Sequence, residues 1–136
     1  MITFTIKGKP IAQQRPRLAR NKAIYDPSAK DKKGIWLQIA KYRPKTPILG
    51  YVCLKLIFYM PRPKHHYRTG KFAKELKGYC KDIIYHSNKP DLDNLVKLIC
   101  DILQPQIIKD DSQVCVLQAE KRYGEPRTEV TIQEIP

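Results

Sequence analysis

Acidic residues are scarce in this chain. Its 136 residues carry 13 Asp and Glu against 26 Lys and Arg, a formal net charge of +13. Such an imbalance favours a polyanionic partner, nucleic acid first and an anionic membrane surface second. The membrane reading ranks last because no basic amphipathic helix with a broad apolar face is apparent. Long apolar runs are also missing. None approaches the roughly 20 residues of a membrane span, and the N-terminus does not resemble a secretory signal. No membrane partner is expected, and the cytoplasm is the expected compartment. The four cysteines, Cys53, Cys80, Cys100 and Cys115, form no C-x-x-C pair. That argues against a zinc ribbon or knuckle. Cys53 and Cys115 lie in strand-like runs and Cys100 in a helical one, so they read as small buried apolar side chains. His65, His66 and His86 have no partner at ligand spacing and are expected on the surface or facing phosphate.

Against these absences stands a hydrophobic content of 42%. That is enough for one core without staples, and the expectation is a single domain over residues 1–136. Ile2, Phe4 and Ile6 alternate with threonines as a half-buried strand. Gly8 and Pro10 end it. The following segment, Gln13 to Lys22, holds Arg15, Arg17 and Arg20 around Pro16 and reads as a phosphate-contacting loop, or else as a solvated one. Asp26-Pro27-Ser28 opens a helix, with Ser28 and Asp31 at capping-box spacing and Ile35, Trp36, Ile39 and Ala40 as its apolar stripe. Trp36 is expected in the core. Tyr51 to Tyr59 is apolar on both faces, as in a central strand.

Residues 64–81 interleave cations with aromatics, a pattern suited to backbone neutralisation and stacking. Lys64, Arg68, Lys71 and Lys74 are its candidate DNA contacts. Ile83 to Tyr85 reads as a short strand. Val114 to Tyr123, with Val114 and Val116 on one face, and the run around Val130 and Ile132 read as an antiparallel hairpin turned by Gly124-Glu125-Pro126. Strands and helices mix without regular βαβ alternation. The expected class is therefore α+β, a mixed sheet with helices packed on it.

The stretch from Lys89 to Leu103 organises the chain. Leu95, Leu98, Ile99, Ile102 and Leu103 form one apolar helical stripe, while Asn94, Lys97 and Asp101 share the polar side. Pro90 disfavours helix at Lys89, and Asp93 or Asn94 can cap the first turn. Asp91 and Asp93 are then expected on an extended lead-in, projecting to one side. Two readings stand side by side: a divalent-metal site, or carboxylates serving the helix N-terminus. The first gains weight because Asp110 and Asp111 concentrate further scarce acids in the same region.

Asp91-Leu92-Asp93-Asn94-Leu95 with Lys97 and Asp101, followed by Asp110-Asp111-Ser112-Gln113-Val114, resembles the RusA family of Holliday junction resolvases, notably its phage-type members. Gly8-Lys9-Pro10, Arg15-Pro16-Arg17 and His86-Ser87-Asn88-Lys89-Pro90 extend the likeness over most of the chain. The resemblance implies an intertwined α+β homodimer that cuts four-way or branched DNA in recombination and repair, using Mg²⁺ or alternatively Mn²⁺, with no small-molecule cofactor. It implies Asp91, Asp93 and Asp111 as metal ligands, with Asp110 as the alternative to Asp111, and Lys97 at the scissile phosphate. Asp101 matches a frequent family aspartate or is simply the ion-pair partner of Lys97. Lys89 joins the candidate DNA contacts. The competing functions are a nuclease for other branched DNA and a catalytically silent basic DNA-binding module.

Overall fold

A computed structural model describes residues 1–136. The Ile2-Phe4-Ile6 alternation forms β1 (Ile2–Lys7), with Phe4 and Ile6 buried. The expected central strand is β4 (Tyr51–Met60), reached after a two-rung ribbon of β2 (Arg17–Leu18) and β3 (Ile24–Tyr25). After α2 (Leu92–Leu103) come β5 (Val114–Tyr123) and β6 (Arg127–Ile135). The main sheet has the order β1-β6-β4-β5. The class is α+β, as expected.

The hairpin expected between β5 and β6 does not form. β4 lies between them, antiparallel to β6 and parallel to β5. The turn at Gly124 carries the chain over the end of β4, where the Gly124 N–H donates to the Met60 carbonyl (3.0 Å). Two strand spacings amount to about 9.6 Å, a gap that a three-residue connection can bridge. Parallel β4 and β5 in turn need a crossover, and α2 supplies it.

Both helices cover one face of the sheet. Along β4, Val52, Leu54, Leu56, Phe58 and Met60 are buried there, joined by Val130 and Ile132 from β6. α2 contributes Leu95, Leu98, Ile99, Ile102 and Leu103, the stripe anticipated from periodicity. α1 (Ala29–Ile39) adds Ile39, with Ile35 and Trp36 half-buried beside the core. On the opposite face Tyr51 and Lys55 are exposed, so β4 is apolar on both sides but buried fully on one.

Several local expectations are corrected. The register pairs Val52 with Val114 but Cys53 with Val116, so an irregularity at Cys115 puts Val114 and Val116 on different faces. Cys115 is exposed rather than buried; Cys53 and Cys100 are half-buried and Cys80 fully buried. Ser28 is the N-cap residue of α1 but bonds no helix N–H through its side chain; its hydroxyl instead accepts the Gln14 N–H (2.9 Å). Residues 83–85 form no full strand, only a bridge between Tyr85 and Arg122.

Candidate functional site

β1, β4 and β5 run in the same direction, so their C-terminal ends share one rim of the sheet. Three segments converge there. The basic arm after β1 is tied to α2 by the Gln13 N–H, which donates to the Asn94 carbonyl (3.0 Å). The 61–86 lobe is held to the end of β5 through Arg62, which donates to the Cys80 carbonyl (2.9 Å) and lies over the Tyr123 ring (5.1 Å). The third segment is the N-terminus of α2.

Asp91 is the N-cap residue of α2, so the helix begins earlier than expected and Asp93 stands inside its first turn, not on an extended lead-in. Neither acid caps in the ordinary way: Asp91 makes no side-chain cap bond, and Asp93 Oδ1 accepts only the N–H of Asn94 (2.9 Å). Lys97 is one turn further along the face of Asp93. Asp91, Asp93 and Lys97 are exposed, and none has an ion-pair partner. In a chain with two cations per acid, two neighbouring carboxylates left unpaired at the head of a helix are available to an external cation. Two free oxygen donors of this kind fit a hard divalent cation.

Lys121 builds the lead-in to these acids, and nothing in its local sequence announces it. From β5 its Nζ donates to the carbonyls of Asn88 and Pro90, both at 2.7 Å. The residues immediately before Asp91 are thereby clamped to the sheet. Its neighbour His86 packs on Tyr123 (5.2 Å) and its N–H donates to the Lys121 carbonyl. Burial, then the charges of Lys121 and Lys9, hold the His86 imidazole below its usual range. His66 is likewise not on the surface. It is buried against Tyr123 (5.1 Å), and burial, His65, Arg62 and Lys77 all depress its protonation.

Asp110 and Asp111 lie toward the other rim. The Asp110 N–H donates to Gln113 Oε1 (2.8 Å), and the Asp110 carboxylate accepts the Ser112 hydroxyl. That bond, chiefly, holds the Asp110 carboxyl below the usual carboxylate range. Gln113 Nε2 reaches the carbonyls of Ile48 (2.8 Å) and Gly50 (2.9 Å), which fixes the turn to the start of β4. The Asp111 carboxylate has no cation partner and stands beside that of Asp110, and the Asp111 N–H donates to Gln104 Oε1 (3.2 Å), just past the end of α2. Asp111 and Asp101 add to burial in pushing the Cys100 thiol up to about 11. The seven residues from Asp93 to Cys100 correspond to a rise of about 10 Å. Within one chain, therefore, Asp91 and Asp93 stand two residues apart at the head of α2 and Asp111 lies toward its other end; no three His, Cys, Asp or Glu side chains gather closely enough to hold a metal.

Asp101 is not the partner of Lys97. It joins Asp26 in binding Lys32 of α1 (3.1 and 2.7 Å), a link between the two helices behind the acid motif. The expected DNA contacts are all exposed. Arg15, Arg17 and Arg20 line the arm, Lys89 precedes the acids, and Lys64, Arg68, Lys71 and Lys74 lie in the lobe. Arg68 is partly engaged, by Glu75 (2.8 Å) and the Phe72 ring (4.1 Å).

A family model described as endodeoxyribonuclease RusA matches residues 7–133 of the chain. An uncharacterized protein of Bacillus subtilis (strain 168), YqaN, is 39% identical over 140 residues, which span 98% of this chain and 96% of that protein. No helix is long and apolar enough to cross a membrane.

Proposed function

Because the chain belongs to the RusA endodeoxyribonuclease family, we propose that it is a divalent-metal-dependent endodeoxyribonuclease that resolves four-way DNA junctions in recombination and repair. The observation that carries this reading is the unpaired pair Asp91 and Asp93 at the N-terminus of α2, with Lys97 one turn away, in a chain of net charge +13. A binder of DNA gains nothing from free carboxylates facing phosphate, because they repel it. Asp91 and Asp93 would hold Mg²⁺, or Mn²⁺ in its place, with Asp111 as the third acid and Asp110, one of whose oxygens accepts the Ser112 hydroxyl, as its alternative. Such a cation, when bound, neutralises phosphate charge and acidifies a water for attack on phosphorus. Lys97 stabilises the negative charge that develops on the phosphoryl oxygens. The arm of Arg15, Arg17 and Arg20, together with Lys89, holds the flanking backbone, and Lys71 and Lys74 of the lobe hold another arm.

Resolution needs two symmetric cuts, and a two-fold homodimer supplies two sites. The outer edge of β5 supports such a dimer. Cys115 to Ala119 carry no charge and pair with nothing on that side, and a strand edge pairs antiparallel with its own copy in a self-complementary way. β5 runs from the Asp111 turn to Lys121 beside Asp91. Antiparallel pairing therefore carries the Asp111 turn of each copy toward the Asp91 end of the other.

The test is cleavage of a labelled four-way junction and a matched linear duplex by wild type and Asp93→Asn, each with Mg²⁺ or with EDTA. Paired symmetric nicks confined to the junction, abolished by EDTA and by Asp93→Asn, are expected. Cutting of both substrates would leave a nuclease of broader choice. Binding without cutting under any metal would leave a silent binding module, and undiminished cleavage by Asp93→Asn would overturn the site.

A further inference from the structure

Between β4 and α2 the chain folds back on itself. Tyr67 bridges Leu76 antiparallel, the Arg68 N–H donates to the Glu75 carbonyl (2.8 Å), and the Lys77 N–H donates to the His66 carbonyl (2.9 Å). The loop so closed surrounds an open cavity of about 750 Å³, whose walls include Lys64, His65, Tyr67, Arg68, Thr69 and Lys77. No acidic residue lines it. Of its cations only Arg68 has a carboxylate partner, Glu75, which stands outside the wall; Lys64 and Lys77 have none. Behind the wall, burial first and then His65, Arg62 and Lys77 hold the His66 imidazole below its usual range.

The volume falls within the range of sites for small organic ligands, and a sphere of that volume is roughly 11 Å across. The major groove of a duplex alone is about 12 Å wide, so a duplex can lie across the mouth but cannot enter. A single unpaired strand can. Its phosphates find Lys64 and Lys77, and its bases find the faces of Tyr67 and His65. From this juxtaposition we infer that the cavity of residues 64–77 is a binding site for a short unpaired DNA segment, one that the branch point of a substrate would supply. The inference rests on the DNA reading above. It adds a site selective for unpaired nucleotides, set apart from the acids of α2.

The experiment measures fluorescence anisotropy of a labelled short oligothymidylate and of a blunt duplex with the full chain, in EDTA so that nothing is cut. The wild type is compared with Lys64→Ala/Lys77→Ala and with Tyr67→Leu, which keeps bulk but removes the ring. Unchanged circular dichroism confirms that each variant is folded. For the double variant, oligothymidylate affinity should fall about tenfold or more. Its log K against log salt slope should shrink by about 1.4, two phosphate contacts at 0.7 each. Tyr67→Leu should weaken the oligothymidylate several-fold, and duplex affinity should change by less than twofold in both variants. Equal losses on both ligands, or no loss on the oligothymidylate, would overturn the inference. Selective oligothymidylate loss with a wild type that cuts no junction would leave this site standing and remove the resolvase reading; junction cleavage with oligothymidylate binding indifferent to these variants would do the reverse.

Discussion

Lys121→Met removes the clamp on the acid motif without touching the acids. In the wild type the ammonium donates two 2.7 Å bonds, to the carbonyls of Asn88 and Pro90, within three residues of Asp91. Hydrogen bonds involving a charged group contribute about 1.5–3 kcal/mol each when water cannot replace them. Here Asn88 is exposed and Pro90 half-buried, so both carbonyls can be rehydrated in the variant. A total of about 2 kcal/mol follows for the free energy holding the lead-in in place, roughly thirtyfold in its equilibrium at about 1.4 kcal/mol per factor of ten. The readout is junction cleavage across a Mg²⁺ titration. Lys121→Met should raise the half-saturating Mg²⁺ concentration or lower the rate at fixed Mg²⁺ by that factor, and Lys121→Arg should recover part of the loss. A lysine that contacted phosphate instead would change the salt slope of duplex binding by about 0.9. With both bonds spent on carbonyls, that slope should not move. An unchanged metal dependence and rate in Lys121→Met would refute the positioning role.

Three shorter predictions follow from the fold. Leu98 is fully buried between α2 and the sheet, so Leu98→Ala should cost about 3–4 kcal/mol in urea unfolding; a loss below about 1 kcal/mol would mean that α2 is not packed as described. Lys32→Met unpairs Asp26 and Asp101 and should cost about 1–2 kcal/mol near neutral pH. The bond from Lys32 chiefly holds the Asp26 carboxyl below its usual range; burial works against the Lys32 charge, but its two acid partners outweigh that and raise it. The contribution is therefore present above about pH 4, is lost as pH falls through the lowered Asp26 value, and on the basic side fades as pH climbs past about 10.5. The wild-type advantage over Lys32→Met should shrink below pH 4, and thermal melts across pH would show otherwise if the pair were idle. Val116→Lys places a charge on the free β5 edge and should leave a folded monomer in sedimentation equilibrium; an undisturbed dimer would locate the interface elsewhere.

Periodicity and motif spacing made much of the molecule legible. The Ile2-Phe4-Ile6 alternation, the apolar run of β4 and the heptad-like stripe of α2 each encode local geometry, and local geometry repeats at intervals a sequence displays. The acid motif was legible for the same reason, since Asp91, Asp93 and Lys97 are neighbours along one helix. Whatever depended on distant partners was not. A Gly-Glu-Pro turn looks the same whether it joins adjacent strands or steps over one, and only the α2 crossover, which sets β5 parallel to β4, decides that β6 lies on the far side. Asp110 and Asp111 are adjacent letters, yet the Ser112 and Gln113 bonds engage the first and not the second. Lys121 holds Pro90 across 31 residues and Lys32 holds Asp101 across 69. By itself, then, the sequence determined the elements, the charge and the acids at the head of α2, because these follow from neighbours in the chain. Tertiary structure alone decided strand order, which lysine braces the acids, and that Asp111 sits toward the other end of α2, because each depends on contacts between residues far apart in the chain.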